Sequence, residues 1–483
     1  MKSDVVVIGS GFGGLVCASL LSRAGHRVLV LERQSQPGGC IQSYRRGDFS
    51  FDTGLHYIGG LGEGQRMQRI FSRLGLMDLP WQRLDAEGFD RVTIDGETFC
   101  LAEGYDRFVS TLASRFPQER QALQQYVAML QQADGVAFGS DGAFTQFGSS
   151  AYSYLTSTFN DPLLINVLSG SALKMELRQE SLPLFTFAHG QSSFIQSSWR
   201  LRGDGNAIVR TLVDGIRANG GEVVCQCEAE ELIERDGRLE AVRCSNGEVY
   251  EGRLFISDIH PAHTFSLVKE STMLKRLFRR RIQMLDNTFG MLTVSLTLKP
   301  GALRYFNHNK FVYRHPNVWN FYESQDSVGG VMISARVPEE GDWLRQVDLL
   351  TPMPWSLCQQ WEQTTVGHRG DAYRQLKAQL AEECIALAET VLPGLSQMVA
   401  AKYVSTPLTY RDYNHTPEGS AYGIRKDCRN LVLTMLSPRT PIPNLLLTGQ
   451  NLMLHGLEGV AMTALQTCSE VLGNDFVENI LDE

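Results

Sequence analysis

Val5-Val6-Val7-Ile8-Gly9-Ser10-Gly11-Phe12-Gly13-Gly14 is the stretch that decides the fold. Glu32-Arg33-Gln34-Ser35-Gln36-Pro37-Gly38-Gly39 and Phe51-Asp52-Thr53-Gly54 follow it. Asp4 to Ile8 is a short β-branched apolar run, the pattern of a strand buried on both faces. Gly9 makes the tight turn. Gly11 has no Cβ, so the backbone can come close to a pyrophosphate, and Gly14 lets the next helix pack on the strand. That helix is predicted from about Gly13 to Ala24, with Gly25 placed to end it. Its N-terminus, beginning near Phe12 and Gly13, aims unpaired N–H groups and a partial positive charge at the phosphates. Arg27 to Leu31 reads as the second strand. Glu32 at its end can accept both hydroxyls of an adenosine ribose and would repel a 2′-phosphate. Strand, helix, strand and acid fall in register, as in an α/β, Rossmann-type dinucleotide domain. The continuation through Arg33, Gly38, Gly39, Asp52 and Gly54 points to FAD as the permanently held dinucleotide.

Composition removes other classes. The chain has 483 residues and a net charge of −8, which argues against a nucleic-acid partner. No uninterrupted apolar run reaches the ~18 residues that span a bilayer, because Asp4 and the glycines break the first one. A cytoplasmic location is expected. The ten cysteines form no CxxC pair and read as reduced thiols. Glu222 to Gln226 reads as a strand, and Cys225 and Cys227, neighbours of like direction along it, are unsuited to a bridge. Without repeats or low-complexity linkers, the domains are expected to interleave.

The landmarks then resemble a known family, the FAD-dependent phytoene desaturases and retinol saturases within the amine-oxidase-like flavoproteins. The N-terminal matches are Gly9, Gly11, Gly14, Glu32, Gly38, Gly39 and Phe51-Asp52-Thr53-Gly54-Leu55-His56-Tyr57. Arg202-Gly203-Asp204-Gly205-Asn206-Ala207 lies in the middle of the chain. Thr409-Tyr410-Arg411-Asp412-Tyr413, Pro417 to Gly423, Asn444 to Gln450 and Gly456-Leu457-Glu458-Gly459 complete the set. The resemblance implies a Rossmann-type FAD-binding domain (1–75, 196–284, 431–483) interleaved with an α+β substrate-binding domain (76–195, 285–430). It also implies backbone contact with adenine near Ala229, where most relatives have valine. A second flavin-facing helix starts near Leu457, Gly459 and Val460, after Gly449 and Gln450. Some relatives carry an acid where this chain has Gln450.

Residue patterns support this frame. Leu445 to Leu447 reads as a buried strand and Leu457 to Leu472 as a helix. Gly205 to Asn219 has helical periodicity, and strands follow at 229–233, 239–244 and 253–256. Gln118 to Ala133 reads as a helix and Met291 to Leu298 as a strand. No nucleophile motif, metal cluster or paired-carboxylate motif stands out, which fits a flavoenzyme whose cofactor carries the hard chemistry. The protein must then place a C–H or C=C bond at the flavin and exclude water. His56, Tyr57 and His455 are the candidates for proton transfer.

The expected substrate is a long apolar polyene or isoprenoid, with saturation of a C=C bond preferred. Desaturation or isomerisation of a carotenoid-like polyene is the alternative, and an amine oxidase or a non-catalytic lipid-binding escort protein ranks below. No second GxGxxG is present, so NAD(P)H would bind only transiently as an electron donor. Residues 273–285 form an expected basic amphipathic helix. Met273, Leu274, Leu277, Phe278, Ile282 and Leu285 lie on one side, and Lys275, Arg276, Arg279 and Arg280 on the other, with Arg281 near the boundary. Such a helix suits peripheral contact with a membrane surface, the source of a lipophilic substrate.

Overall fold

The computed structural model describes residues 2–136, 147–319, 328–473 and 475–482. The site-forming elements are β1 (Lys2–Ile8), α1 (Phe12–Arg23), β2 (Val28–Leu31), α2 (Leu184–Gln196), β3 (Val249–Ser257), β4 (Leu445–Leu447) and α3 (Gly456–Leu472). β1 pairs in parallel with β2 on one side and β3 on the other. Beyond β2 lies Glu222–Val224, also parallel. β3 divides its far edge. Val249 to Glu251 pair antiparallel with 241–243, while Phe255 to Ser257 pair in parallel with β4. An antiparallel partner, Ala229–Arg235, completes this seven-stranded sheet. β1, β2, β3 and β4 therefore all point their C-terminal ends the same way. In open α/β sheets that edge is where ligands bind.

The second seven-stranded sheet runs in the order 399–405, 290–298, 346–353, 330–335, 309–313, 90–94, 97–101. Its side chains alternate between two cores, as a pleated strand requires. Met291, Met332 and Leu350 join the core shared with the first sheet. Their neighbours Leu292, Val331, Ile333 and Leu349 pack outward under the helix Gly370–Glu389 through Tyr373, Ala381 and Ile385. A small sheet of Ile58–Gly59, Ser198–Leu201 and Trp81–Arg83 joins the two halves. Gly59 is required there, because a Cβ would lie 2.6 Å from Ser193 O on α2.

Two local expectations change. The predicted strand Glu222 to Gln226 ends at Val224. Gln226 takes a positive φ of 55°, and the N–H groups of Gln226 and Cys227 donate to Gln34 O and Glu32 O. Cys225 and Cys227 thus sit on a turn that follows Glu222–Val224 and is bonded to the segment after β2, rather than side by side on a strand. The basic helix covers only Arg276–Gln283. Leu274 and Ile282 of its apolar side are buried in the protein, whereas Leu277 is 80% exposed. Arg279 turns inward and donates to Phe265 O. Among the described residues no helix is long and apolar enough to cross a membrane.

Asp52 ties the two halves together. Its carboxylate accepts from Ser43 Oγ at 2.7 Å and from Gly205 N at 2.8 Å, at the start of the helix Asn206–Ala218. Arg336 of the second sheet lies 3.4 Å away. We expect Asp52→Ala to lower stability by about 1.5–3 kcal/mol, the range for hydrogen bonds to a charged group. Chemical denaturation monitored by circular dichroism measures it.

Candidate functional site: a cavity at the strand ends

Each of the four parallel strands delivers one part of the site as it ends. β1 ends at Gly9, whose φ of 93° makes the turn into α1. No side chain caps α1 at Gly11, and Gly11, Phe12 and Gly13 face a cavity of about 370 Å³. The glycines are enforced by crowding. A Cβ on Gly13 would lie 2.6 Å from Asp258 Oδ1 and 2.9 Å from Gly449 Cα. Gly14 would meet Gly9 O, and Gly38 would meet Val209 Cγ2 at 2.7 Å. Gly14, Gly38 and Gly449 therefore shape the turn without lining the cavity.

β2 ends at Glu32, whose Oε2 accepts from Ser10 N at 3.1 Å and Ser10 Oγ at 2.5 Å. Oε1 accepts from Gln34 N at 2.7 Å, which leaves a lone pair for a hydroxyl. Arg33 lines the cavity while donating to the carbonyls of Asp412 and Tyr413. β3 ends at Asp258, which the sequence reading did not single out. Its carboxylate faces the backbone N–H groups of Gly14 and Gly11, and burial pushes its pKa up to about 7. Much of its charge is thus withdrawn near neutrality, which reduces repulsion of a phosphate at the same turn. Gly39, Gly54 and Ala229 also line the cavity, whereas the Asp52 carboxylate turns away into the tie described above. The uncapped helix start, the glycine crowding and the unfilled lone pair of Glu32 all fit a bound dinucleotide.

β4 ends at Gly449, and Gln450 lines the cavity beyond it. The chain then enters α3 at His455, its N-cap, with no side-chain capping bond. Leu457, Gly459 and Val460 bring this second helix start to the same cavity. Two free helix N-termini thus converge on one space, and both favour negative charge.

The far wall is aromatic and basic. Tyr57 stacks on Phe194 of α2 with ring centroids 4.4 Å apart, and Tyr422 faces His455 at 4.7 Å. Tyr57 donates its hydroxyl to Asp90 at 2.9 Å. Asp90 also accepts from Asn309 at 2.8 Å, and Asn309 in turn accepts from Arg200 at 2.6 Å. Lys174, between the helix Pro162–Gly170 and α2, lies over the rings of Tyr57 and Phe194 at 4.0 and 3.7 Å. Burial lowers the pKa of His56 to about 3 and that of His455 to about 4, with Lys174 adding to both shifts. Both histidines are neutral at physiological pH, and His56 Nε2 is buried with no partner among the described residues.

Sequence reasoning found His56, Tyr57 and His455 but missed Lys174, Phe194 and Asp258. A lysine inside the apolar run Ala172-Leu173-Lys174-Met175 was the available signal. It also missed Asp134, His189 and Glu458, whose ligand atoms lie within 4.8 Å of one another. Arg66 lies 3.0 Å from both Asp134 and Glu458, so a guanidinium already supplies the positive charge between them.

Residues 7–74 match the NAD(P)-binding Rossmann-like domain family. The chain is 25% identical to the all-trans-retinol 13,14-reductase of Rattus norvegicus, over 99% of this chain and 87% of that one. It is 24% identical to the chloroplastic prolycopene isomerase of Daucus carota, over 87% and 71%. Among solved structures, an oxidoreductase from Methanosarcina mazei superposes with a TM-score of 0.66 at 16% identity, over 96% of this chain and 99% of that one. A putrescine oxidase gives 0.68 at 14% identity, over 98% and 100%. The chain is thus homologous along its length to retinol reductases and prolycopene isomerases, on a fold shared with amine oxidases.

The lowered histidines predict acid lability. An unfolded histidine takes up a proton near 6.5, whereas His56 and His455 in the folded protein resist until about 3 and 4. Their stability contribution is therefore present above pH 6.5 and is lost as pH falls towards those values. Thermal midpoints should fall from pH 7 to pH 4, and His455→Gln should flatten that slope.

Proposed function

We propose that this protein is an FAD-dependent oxidoreductase that saturates a C=C bond of a long apolar polyene. The observation that carries the reading is one cavity with two unlike ends. One end is the glycine turn with Glu32, suited to the adenosine and pyrophosphate. The other joins the α3 N-terminus to an aromatic and methionine wall of Tyr57, Phe194, Met291 and Met332. The homology to retinol reductases along the chain supports the same reaction class.

When bound, FAD supplies two electrons as a hydride. The chain's own residues do the rest. Gly9 to Gly13 and Glu32 would hold the cofactor's adenosine half. The α3 N-terminus favours negative charge on the reduced ring. Tyr57, Phe194 and Tyr422 exclude water and hold the substrate flat. Neutral His56 and His455 orient groups by hydrogen bonding, and His56 Nε2 is available for it. NAD(P)H, if used, acts transiently as the reductant. Isomerisation of a carotenoid-like polyene is the second reading, favoured by the prolycopene isomerase homology.

Anaerobic incubation with candidate polyenes tests the direction. Reoxidation of prereduced flavin by a polyene is the expected result. Bleaching of oxidised flavin by the substrate would mean desaturation, and no response to any lipophile would remove the polyene reading.

The lipophilic substrate is taken from an anionic membrane surface, in the same proposal. Leu277 and Met284 are 80% and 70% exposed beside exposed Lys275, Arg276, Arg280 and Arg281. The following turn is bonded to 424–425, and Val432 on the short helix Leu431–Thr434 is 81% exposed. Flotation with anionic vesicles should be lost on charge reversal at Arg276, Arg280 and Arg281. Unchanged flotation would overturn the membrane proposal.

A further inference from the structure

Saturating a C=C bond needs a proton as well as a hydride, and the residues first suspected of supplying it are poorly placed to do so. The Tyr57 proton is committed to Asp90. His56 and His455 carry no proton to spare near neutrality, since burial and neighbouring cations hold both in the neutral form. Lys174 differs from all three. It lines the cavity wall, and its ammonium lies over two aromatic faces. Among the described residues it has no hydrogen-bond or ion-pair partner. An ammonium packed on ring faces, with Asp90 close enough to act on it but not bonded to it, keeps its N–H bonds free for a substrate.

We propose that Lys174 is the catalytic acid, delivering its Nζ proton to the alkene carbon next to the one that takes the hydride. This rests on the reductase reading above. The balance is complete. The π pair of the C=C bond forms the new C–H bond with the Nζ proton, and the hydride from reduced FAD forms the other. The flavin ends oxidised by two electrons, and Lys174 ends as a neutral amine that regains a proton from water. An external reductant such as dithionite restores the flavin.

The surroundings of Lys174 suit a group that must hold and release a proton. Burial lowers its pKa to about 7, and Asp90 acts against that shift. The groups facing it are Asp90 with its partners Tyr57, Asn309 and Arg200, and the two neutral histidines. Tyr57 links them, since its hydroxyl binds Asp90 while its ring carries the ammonium. The same acid would serve an isomerase, where protonation of the polyene and return of the proton suffice.

Three variants and one label test it. Lys174→Met should retain FAD and be reduced by dithionite normally. Reoxidation of its reduced flavin by the polyene accepted by the wild type should slow by about 10²–10⁴-fold, the range for losing a general acid. Lys174→Arg should be as slow, because a guanidinium keeps the charge but does not give up its proton. Lys174→Gln should also be slow, with an unchanged KM. In the apoprotein, reductive methylation read by peptide mass spectrometry should reach half its limit near pH 7 at Lys174, below the surface lysines. Full reoxidation by Lys174→Arg would overturn the proposal and leave only an electrostatic role. A raised KM with unchanged kcat in Lys174→Met would also overturn it and make Lys174 a substrate anchor. If Lys174→Met lost its flavin, Lys174→Arg would decide. If the wild type were not reoxidised by any polyene, the reductase reading would fall, whereas the methylation profile would still report on Lys174 itself.

Discussion

Everything in this fold depends on a place where a methyl group has no room. The Cα of Gly449 and the carboxylate of Asp258 come so close to Gly13 that a side chain there would overlap both. That contact brings the first helix of the chain against its last strand. Behind it, α1 and α3 pack through small buried residues. Cys17, Ala18, Ala461 and Ala464 are fully enclosed, and Cys17 Sγ reaches Ala464 O at 3.6 Å. Close-packed interiors transmit such spacing rather than absorb it. Four strand ends spread between Ile8 and Leu447 thereby open into one cavity. A larger residue at either end would spread the wall that both helix starts form.

A wall of this kind must contain polar groups, and an unpaired buried polar group is expensive. The structure separates two populations. Arg66 satisfies Asp134 and Glu458 together, and Tyr57, Asp90, Asn309 and Arg200 form an unbroken chain of bonds. Those groups hold the wall in place. His56 Nε2 has no hydrogen-bond partner among the described residues, Lys174 Nζ rests on two ring faces, and both residues line the cavity. Unsatisfied groups that line the cavity are those that a ligand can complete.

What the sequence made legible followed from local rules. The strand, turn and helix at Lys2 to Arg23, the acid at Glu32, and the pair Leu445–Leu447 and Gly456–Leu472 each have their cause within about twenty residues. The two-core alternation of Met291 with Leu292 also matches a buried strand. Features that were not legible depend on distant partners. Asp52 sits in a cofactor-like motif, yet its carboxylate serves Gly205 and Arg336, which no local pattern foretells. The basic helix differs from its expectation in length and in the side that Arg279 takes. Its periodicity separated six apolar from four basic residues, but the helix is only eight residues long and buries just one edge, so Leu274 and Ile282 pack inside, Leu277 stays out and Arg279, counted on the basic side, turns inward. Lys174 belongs to no motif, because its meaning comes from Tyr57 and Phe194.

The same cavity explains why one cation is tolerated and three are not. Lys174 contributes to the lowered pKa of both His56 and His455, so their three charges compete. At an effective dielectric constant of about 20, two unit charges about 6 Å apart repel by roughly 3 kcal/mol, or about two pH units. Burial disfavours every charge in the wall, and the group with the highest intrinsic proton affinity keeps its proton longest. Lysine starts at 10.5 and histidine at 6.5. After both are driven down, Lys174 titrates near 7 while the histidines stay neutral. Asp90, raised to about 6, is the nearby anion that prevents the lysine from falling further. Of Lys174, His56 and His455, the lysine is therefore the one that holds an exchangeable proton close to neutral pH.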